Sequence, residues 1–157
     1  MSNIVFLDPH KKQPLAPEHK NVRSIHAYAP DDFALPFYDS KVPAGFPSPA
    51  DGHERERLKA SSYLVRNETS TFYVEVEGDS MIEAKIFDGD VVVVDRSITP
   101  SVGQIVLAVV NGDFTIKYLA HDRLRPANPK FQDILFQEGM TVEVWGVVVG
   151  SMRKIRW

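Results

Sequence analysis

Ile105-Val106-Leu107-Ala108-Val109-Val110-Asn111-Gly112-Asp113-Phe114-Thr115-Ile116-Lys117 reads as two strands joined by a two-residue turn. Asn-Gly tolerates the positive φ that a type I′ turn requires at both central positions, and that turn matches the natural twist of paired strands. A two-residue loop also fixes the register, setting Lys117 opposite Val106 and Phe114 opposite Val109. Phe114, Ile116 and Tyr118 then share one face, and Thr115, Lys117 and Leu119 share the other. Lys117 is the one charge within Phe114–Leu119. A mid-strand lysine is either an edge device against aggregation or an amine drawn inward. Desolvation of an inward amine lowers its pKa and leaves a free base.

The same alternation extends in both directions from the hairpin. Thr71–Glu77 sets Phe72, Val74 and Val76 on one side. Val91-Val92-Val93-Val94 is apolar throughout, which fits a strand buried on both faces. Val142–Val149 is a further strand, and Lys154–Trp157 is a candidate for one more. Strands outnumber helices, so the fold class is mostly β, with a coiled, partly closed sheet. Ser48-Pro49-Ala50-Asp51 has the form of a helix start, with a serine cap, proline at the first position and an acid in the first turn. A single helix is expected from there to about Arg66, showing a mixed-charge face to solvent.

Residues 1–49 hold eight of the eleven prolines. Proline fixes φ and removes donors, so this stretch is expected to be an extended arm with edge pairing around Phe33–Tyr38. It has no room for a helix-turn-helix. The 157 residues suffice for one domain with a core, and 43% hydrophobic with 25% charged residues is ordinary for a soluble protein. There is no cysteine, which excludes disulfides, thiol nucleophiles and thiolate metal sites. Residues 1–8 lack the basic start and apolar run of a signal peptide or membrane span, so a cytoplasmic protein with no membrane contact is expected. The net charge of −3 argues against a dedicated nucleic-acid binder. Lys11, Lys12, Lys20 and Arg23, and the terminal Arg153, Lys154 and Arg156, read as solvated ends.

The chemistry centres on Gly78-Asp79-Ser80-Met81. Serine holds its proton tightly and needs an adjacent base to act as a nucleophile. Ser80 falls just past a strand end, where the backbone N–H groups of Ser80 and Met81 are free to face a developing oxyanion. Taken alone, the run is also explained by a serine capping a turn. Lys117, thirty-seven residues on, supplies a candidate base. His121 with an aspartate is the rival arrangement, but Asp122–Pro126 reads as a surface loop. His53-Glu54 would need a histidine at 57 to resemble a zinc motif and has Arg57, and Asp88-Gly89-Asp90 reads as a turn, so no metal or cofactor is expected. Ala44-Gly45, flanked by Pro43 and Pro47, offers small side chains at a bond that could lie against Ser80.

These segments together resemble the UmuD branch of the LexA-type self-cleaving peptidases. The resemblance runs through Ala44-Gly45-Phe46-Pro47-Ser48-Pro49-Ala50, Glu77-Gly78-Asp79-Ser80-Met81-Ile82, Asp88-Gly89-Asp90, Gly103-Gln104-Ile105-Val106, Asn111–Lys117 and Trp145-Gly146-Val147-Val148. It spans about residues 40–150. It implies the LexA/UmuD-like C-terminal peptidase fold, Ser80 as nucleophile, Lys117 as general base and Ala44-Gly45 as the bond cut. Residues 1–44 would be an arm lost on self-cleavage, and 45–157 the peptidase and dimerisation domain. It further implies stimulation by a RecA filament on single-stranded DNA in the SOS response. The trimmed homodimer would serve a UmuC-type translesion polymerase, with no sequence-specific DNA binding of its own. It leaves residues 1–25 without a role. The alternatives are a non-catalytic interaction module, or a LexA-type regulator lacking its DNA-binding domain. A signal-peptidase-like enzyme shares the Ser-Lys pair but needs a membrane anchor.

Overall fold

The computed structural model of the chain describes residues 5–6, 20–28, 35–38, 54–58 and 60–155. The expected hairpin forms strands β7 (Ile105–Val110) and β8 (Asp113–Leu119), with Val106 opposite Lys117 and Val109 opposite Phe114. Asn111 and Gly112 take φ of 50° and 92°, the positive pair that a type I′ turn requires.

The other strands are β1 (Val5–Phe6), β2 (Val22–Ala27), β3 (Leu35–Tyr38), β4 (Glu54–Leu58), β5 (Thr71–Val76), β6 (Val91–Asp95), β9 (Arg123–Arg125), β10 (Ile134–Leu135) and β11 (Thr141–Met152). Nine of them build one antiparallel sheet in the order β10-β9-β8-β7-β11-β6-β5-β2, with β1 added against β11. With nine strands in one open sheet and one short α-helix among the described residues, the molecule is mostly β, as expected. It coils because β11 crosses from β7 to β6 through two register shifts, at Val144/Gly146 and Val148/Gly150. Each shift adds local twist. The coil brings the residue before β2 back against β8, five places away in the strand order.

Both faces of the central strands are buried. Leu107, Ile116, Val74, Val76, Val92 and Val94 pack with Met81 and Ile86 in one cluster. Val106, Ala108 and Val110 pack with Leu124, Ile134, Val142 and Val147 in another. The continuous apolar run of β6 has this cause, since Val92, Val93 and Val94 are all fully buried.

Three expectations are corrected. The helix from Ser48 to Arg66 is replaced by strand β4 and a short helix α1 (Ala60–Leu64), with Ser48–Asp51 outside the described residues. Pairing with β3 in a separate two-stranded sheet overrides the helix propensity of Glu54-Arg55-Glu56-Arg57. Pro36 is accommodated there because β3 is an edge strand. The strand at Lys154–Trp157 is absent over 153–155, because β11 has already carried the pairing with β6 as far as Met152. Finally, Lys20, Arg23 and Arg153 are not merely solvated ends. Lys20 pairs with Asp113 at 3.1 Å, and Arg23 with Glu75 at 2.6 Å. Arg153 grips the buried Asp90 carboxylate and stacks on the Phe87 ring at 4.0 Å.

Candidate active site

Strand β5 delivers the chain to Ser80. Its last residue, Val76, is held by Asp90 and Gly89: the Val76 N–H donates to Asp90 O (2.8 Å), and Val76 O accepts from Gly89 N–H (2.9 Å). The backbone then reverses at Gly78, where φ of +80° suits glycine. The Gly78 N–H donates to Asp88 Oδ1 at 2.8 Å, so Asp88-Gly89-Asp90 is a turn whose work is to brace the serine turn. On the far side, the Ala127 N–H donates to Ser80 O (2.9 Å) and Asn128 Nδ2 donates to Asp79 O (2.9 Å). Met81 anchors in the first core cluster, and a 3-10 turn at Ile82–Ala84 follows. Among the described residues, no acceptor takes the backbone N–H of Ser80 or Met81, whereas the N–H of Ile82 is bonded to Asp79 O. Two donors therefore stay open beside a hydroxyl whose backbone is fixed on both sides.

Strand β8 delivers Lys117. Its side chain is fully buried, and Nζ lies 3.0 Å from Ser80 Oγ, 2.9 Å from Thr115 Oγ1 and 3.0 Å from Ile116 O. None of these partners is charged. Burial alone therefore acts on the amine and pushes its pKa down to about 7 from the ordinary 10.5. A base poised near neutrality beside a serine hydroxyl is the arrangement that general-base activation of a nucleophile requires.

The structure thus brings together Ser80, Lys117 and the backbone of Met81. It does not bring His121 to them: that residue is exposed in the turn after β8, and the side chains bonded to Ser80 Oγ are Lys117 and Asn21. Ala44 and Gly45 lie outside the described residues. Among the described residues, no group of three acidic or histidine side chains could hold a metal ion. No helix there is long and apolar enough to cross a membrane.

Sequence reasoning missed Asn21 and Thr115. Asn21 is 2% exposed, and its carboxamide bonds Ser80 Oγ, Thr115 Oγ1 and both backbone groups of Ile116. The signal is weak because the strand that follows is bulged between Val22 and Ser24, which spoils its alternation. The hairpin register sets Thr115 on the Lys117 face, and that shared face is the signal for its role.

Residues 36–149 match the family described as peptidase S24-like. The protein MucA of Salmonella typhimurium is 42% identical over 123 residues, covering 76% of this chain and 84% of MucA. The protein SamA of Salmonella typhimurium strain LT2 is 35% identical over 145 residues, covering 90% of this chain and 95% of SamA. A LexA repressor of Desulfatibacillum aliphaticivorans is 45% identical over 93 residues, 55% of this chain and 46% of the repressor. A mostly β chain that matches this family over 36–149, and MucA and SamA over most of their lengths, belongs to the peptidase S24-like family of the LexA/UmuD type.

Proposed function

We propose that the protein is a serine peptidase that cuts its own Ala44–Gly45 bond, with Ser80 as nucleophile and Lys117 as general base. The observation that carries this reading is the 3.0 Å contact between Ser80 Oγ and a fully buried lysine amine with no counter-charge among the described residues. Neutral Lys117 takes the hydroxyl proton as Oγ attacks the Ala44 carbonyl carbon, and the N–H groups of Ser80 and Met81 stabilise the oxyanion. Lys117 then returns the proton to the departing Gly45 amine, leaving an Ala44 ester on Ser80. Water, deprotonated by the same amine, hydrolyses that ester and frees the Ala44 carboxylate and the Ser80 hydroxyl. The bond belongs to the connection between β3 and β4, so the reaction requires that connection to present it at Ser80. An activator acts by raising the population of that docked state.

Membership of the LexA/UmuD-type family and the likeness to MucA and SamA support the wider role. The activator is a RecA filament on single-stranded DNA. The trimmed homodimer is the cytoplasmic accessory of a UmuC-type translesion polymerase in the SOS response. Incubation with RecA, nucleotide and single-stranded DNA, followed by mass spectrometry, tests the cut and its activator. The expected products are residues 1–44 and 45–157, with Ser80→Ala and Lys117→Ala intact and folded. A wild-type chain that stays whole, or a variant that still cuts, overturns the reading.

A further inference from the structure

Asn21 reaches the site from outside the strands that carry Ser80 and Lys117. It stands at the head of β2, and its own carbonyl accepts the Glu77 N–H at 3.0 Å. Its side chain fixes donor and acceptor roles on both sides of the site. The Ile116 N–H can only donate, so the group 2.6 Å from it is the Asn21 oxygen, and the amide orientation follows. Thr115 Oγ1 donates to that same oxygen at 3.1 Å. Asn21 Nδ2 donates to Ile116 O and to Ser80 Oγ, each at 3.1 Å.

Those roles determine what Lys117 can do. With its proton committed to Asn21, the Thr115 hydroxyl faces Lys117 as an acceptor. Ile116 O is an acceptor by nature. A neutral lysine amine has two N–H bonds and one lone pair. Its two N–H bonds go to Thr115 Oγ1 and Ile116 O, so the lone pair points at the third neighbour, Ser80 Oγ. Ser80 Oγ, which already accepts from Asn21 Nδ2, gives its proton to Lys117. When Lys117 is protonated, the same three neighbours accept its three donors, and only the Ser80 bond reverses on deprotonation.

We infer that Asn21 is a positioning residue, which through Thr115 aims the Lys117 lone pair at the Ser80 hydroxyl and by its own amide N–H holds that oxygen ready to carry negative charge. The inference rests on Ser80 and Lys117 acting as nucleophile and base. It adds that the segment ahead of the proposed cleavage point completes the peptidase that cuts it. A product that has shed residues 1–44 then lacks this group, which makes the serine a poor catalyst of any second turnover.

Two readouts test the assignment across pH 5–10. One is self-cleavage, and the other is labelling of Ser80 by a fluorophosphonate serine probe, read by mass spectrometry of the intact chain. Asn21→Ala is expected to lower both rates about tenfold or more at every pH. Asn21→Asp is nearly isosteric, loses the donor to Ser80 and adds negative charge near the amine. It is expected to move the midpoint of the pH profile to higher pH. Thr115→Val is expected to follow Asn21→Ala, and Thr115→Ser, which keeps the hydroxyl, to recover most of the rate that Thr115→Val loses. Wild-type rates and midpoint in Asn21→Ala overturn the assignment, as does faster cleavage, which would make Asn21 a plug. If Asn21→Ala does not fold, an unshifted midpoint in Asn21→Asp overturns it instead. A wild-type chain labelled at Ser80 but never cut defeats the self-cleavage reading alone; the Asn21 inference then stands on the loss of labelling. A wild-type Ser80 that takes no label defeats both.

Discussion

A lysine amine without a counter-charge in a protein interior is costly as an ammonium ion and tolerable as a free amine. Lys117 is such a group, with its pKa pushed down to about 7 by burial. The sign of the stability effect follows from proton counting. Below pH 7 both the folded and the unfolded chain hold the proton, and the penalty is fully present. Between about 7 and the ordinary 10.5 only the unfolded chain holds it, so stability rises with pH. The full span corresponds to roughly 3–5 kcal/mol. Lys117→Met is therefore expected to be more stable than wild type, by an amount that is largest at pH 6 and shrinks toward pH 10. Urea midpoints at both pH values check this; a pH-independent gain contradicts a depressed amine. Under the proposed mechanism the same titration sets the rate. Unassisted self-cleavage is expected to rise tenfold per pH unit below about 7 and to level off above about 8. A flat profile between pH 6 and 9 rules out Lys117 as the base.

Strand β11 is the element that shapes the sheet, and its two glycines test how. A Cβ on Gly146 would meet Val94 Cγ1 at 2.6 Å and the backbone oxygen of Asp95 at 3.2 Å. Neither can move without disturbing β6, so Gly146→Ala is expected to cost about 1–3 kcal/mol. The three atoms nearest a Cβ on Gly150 are the tip and branch of the Leu64 side chain, which can swing away. Gly150→Ala is expected to cost less than about 1 kcal/mol, and a reversed order in urea denaturation would refute the packing argument. The same irregularities explain which elements were legible in sequence. The β7–β8 hairpin has unbroken alternation and an Asn-Gly turn, so register and the placement of Lys117 could be read directly. Ser80 was legible as the serine two residues past the glycine turn that follows a strand. Strand β2 was not, because its bulge sets Val22 and Ile25, three residues apart, against the same core cluster. Asn21 was hidden with it. Strand β4 was misread because its Glu-Arg repeat favours a helix locally, and only the distant partner β3 makes it a strand.

At the scale of the whole molecule, β2 is an edge strand of the open sheet whose start nonetheless reaches β8. It pairs with β5 from Val22↔Val76 to Ala27↔Phe72, while Asn21 ties its start to β8 across the coil. Residues 20–28 lie ahead of Ala44–Gly45, so the proposed cut breaks the chain but none of these contacts. The strength of the remaining attachment can be bounded. Partial burial of Val22 and Ile25 contributes on the order of 1–2 kcal/mol each, and each hydrogen bond of the Asn21 side chain and of the backbone ladder between β2 and β5 about 1 kcal/mol net. The exposed Arg23–Glu75 and Lys20–Asp113 pairs add little. Against these stands an association cost of at least about 4 kcal/mol once the covalent link is gone. The balance is a weak complex, with dissociation in the micromolar range. After cleavage, residues 1–44 and 45–157 are expected to co-elute in size exclusion at about 100 μM and to separate at about 1 μM, or in mild urea. Asn21→Ala, cut to completion under prolonged alkaline incubation, is expected to separate at higher concentration than wild type. Fragments that part at 100 μM in native buffer would mean that β2 holds its place only while the chain is whole.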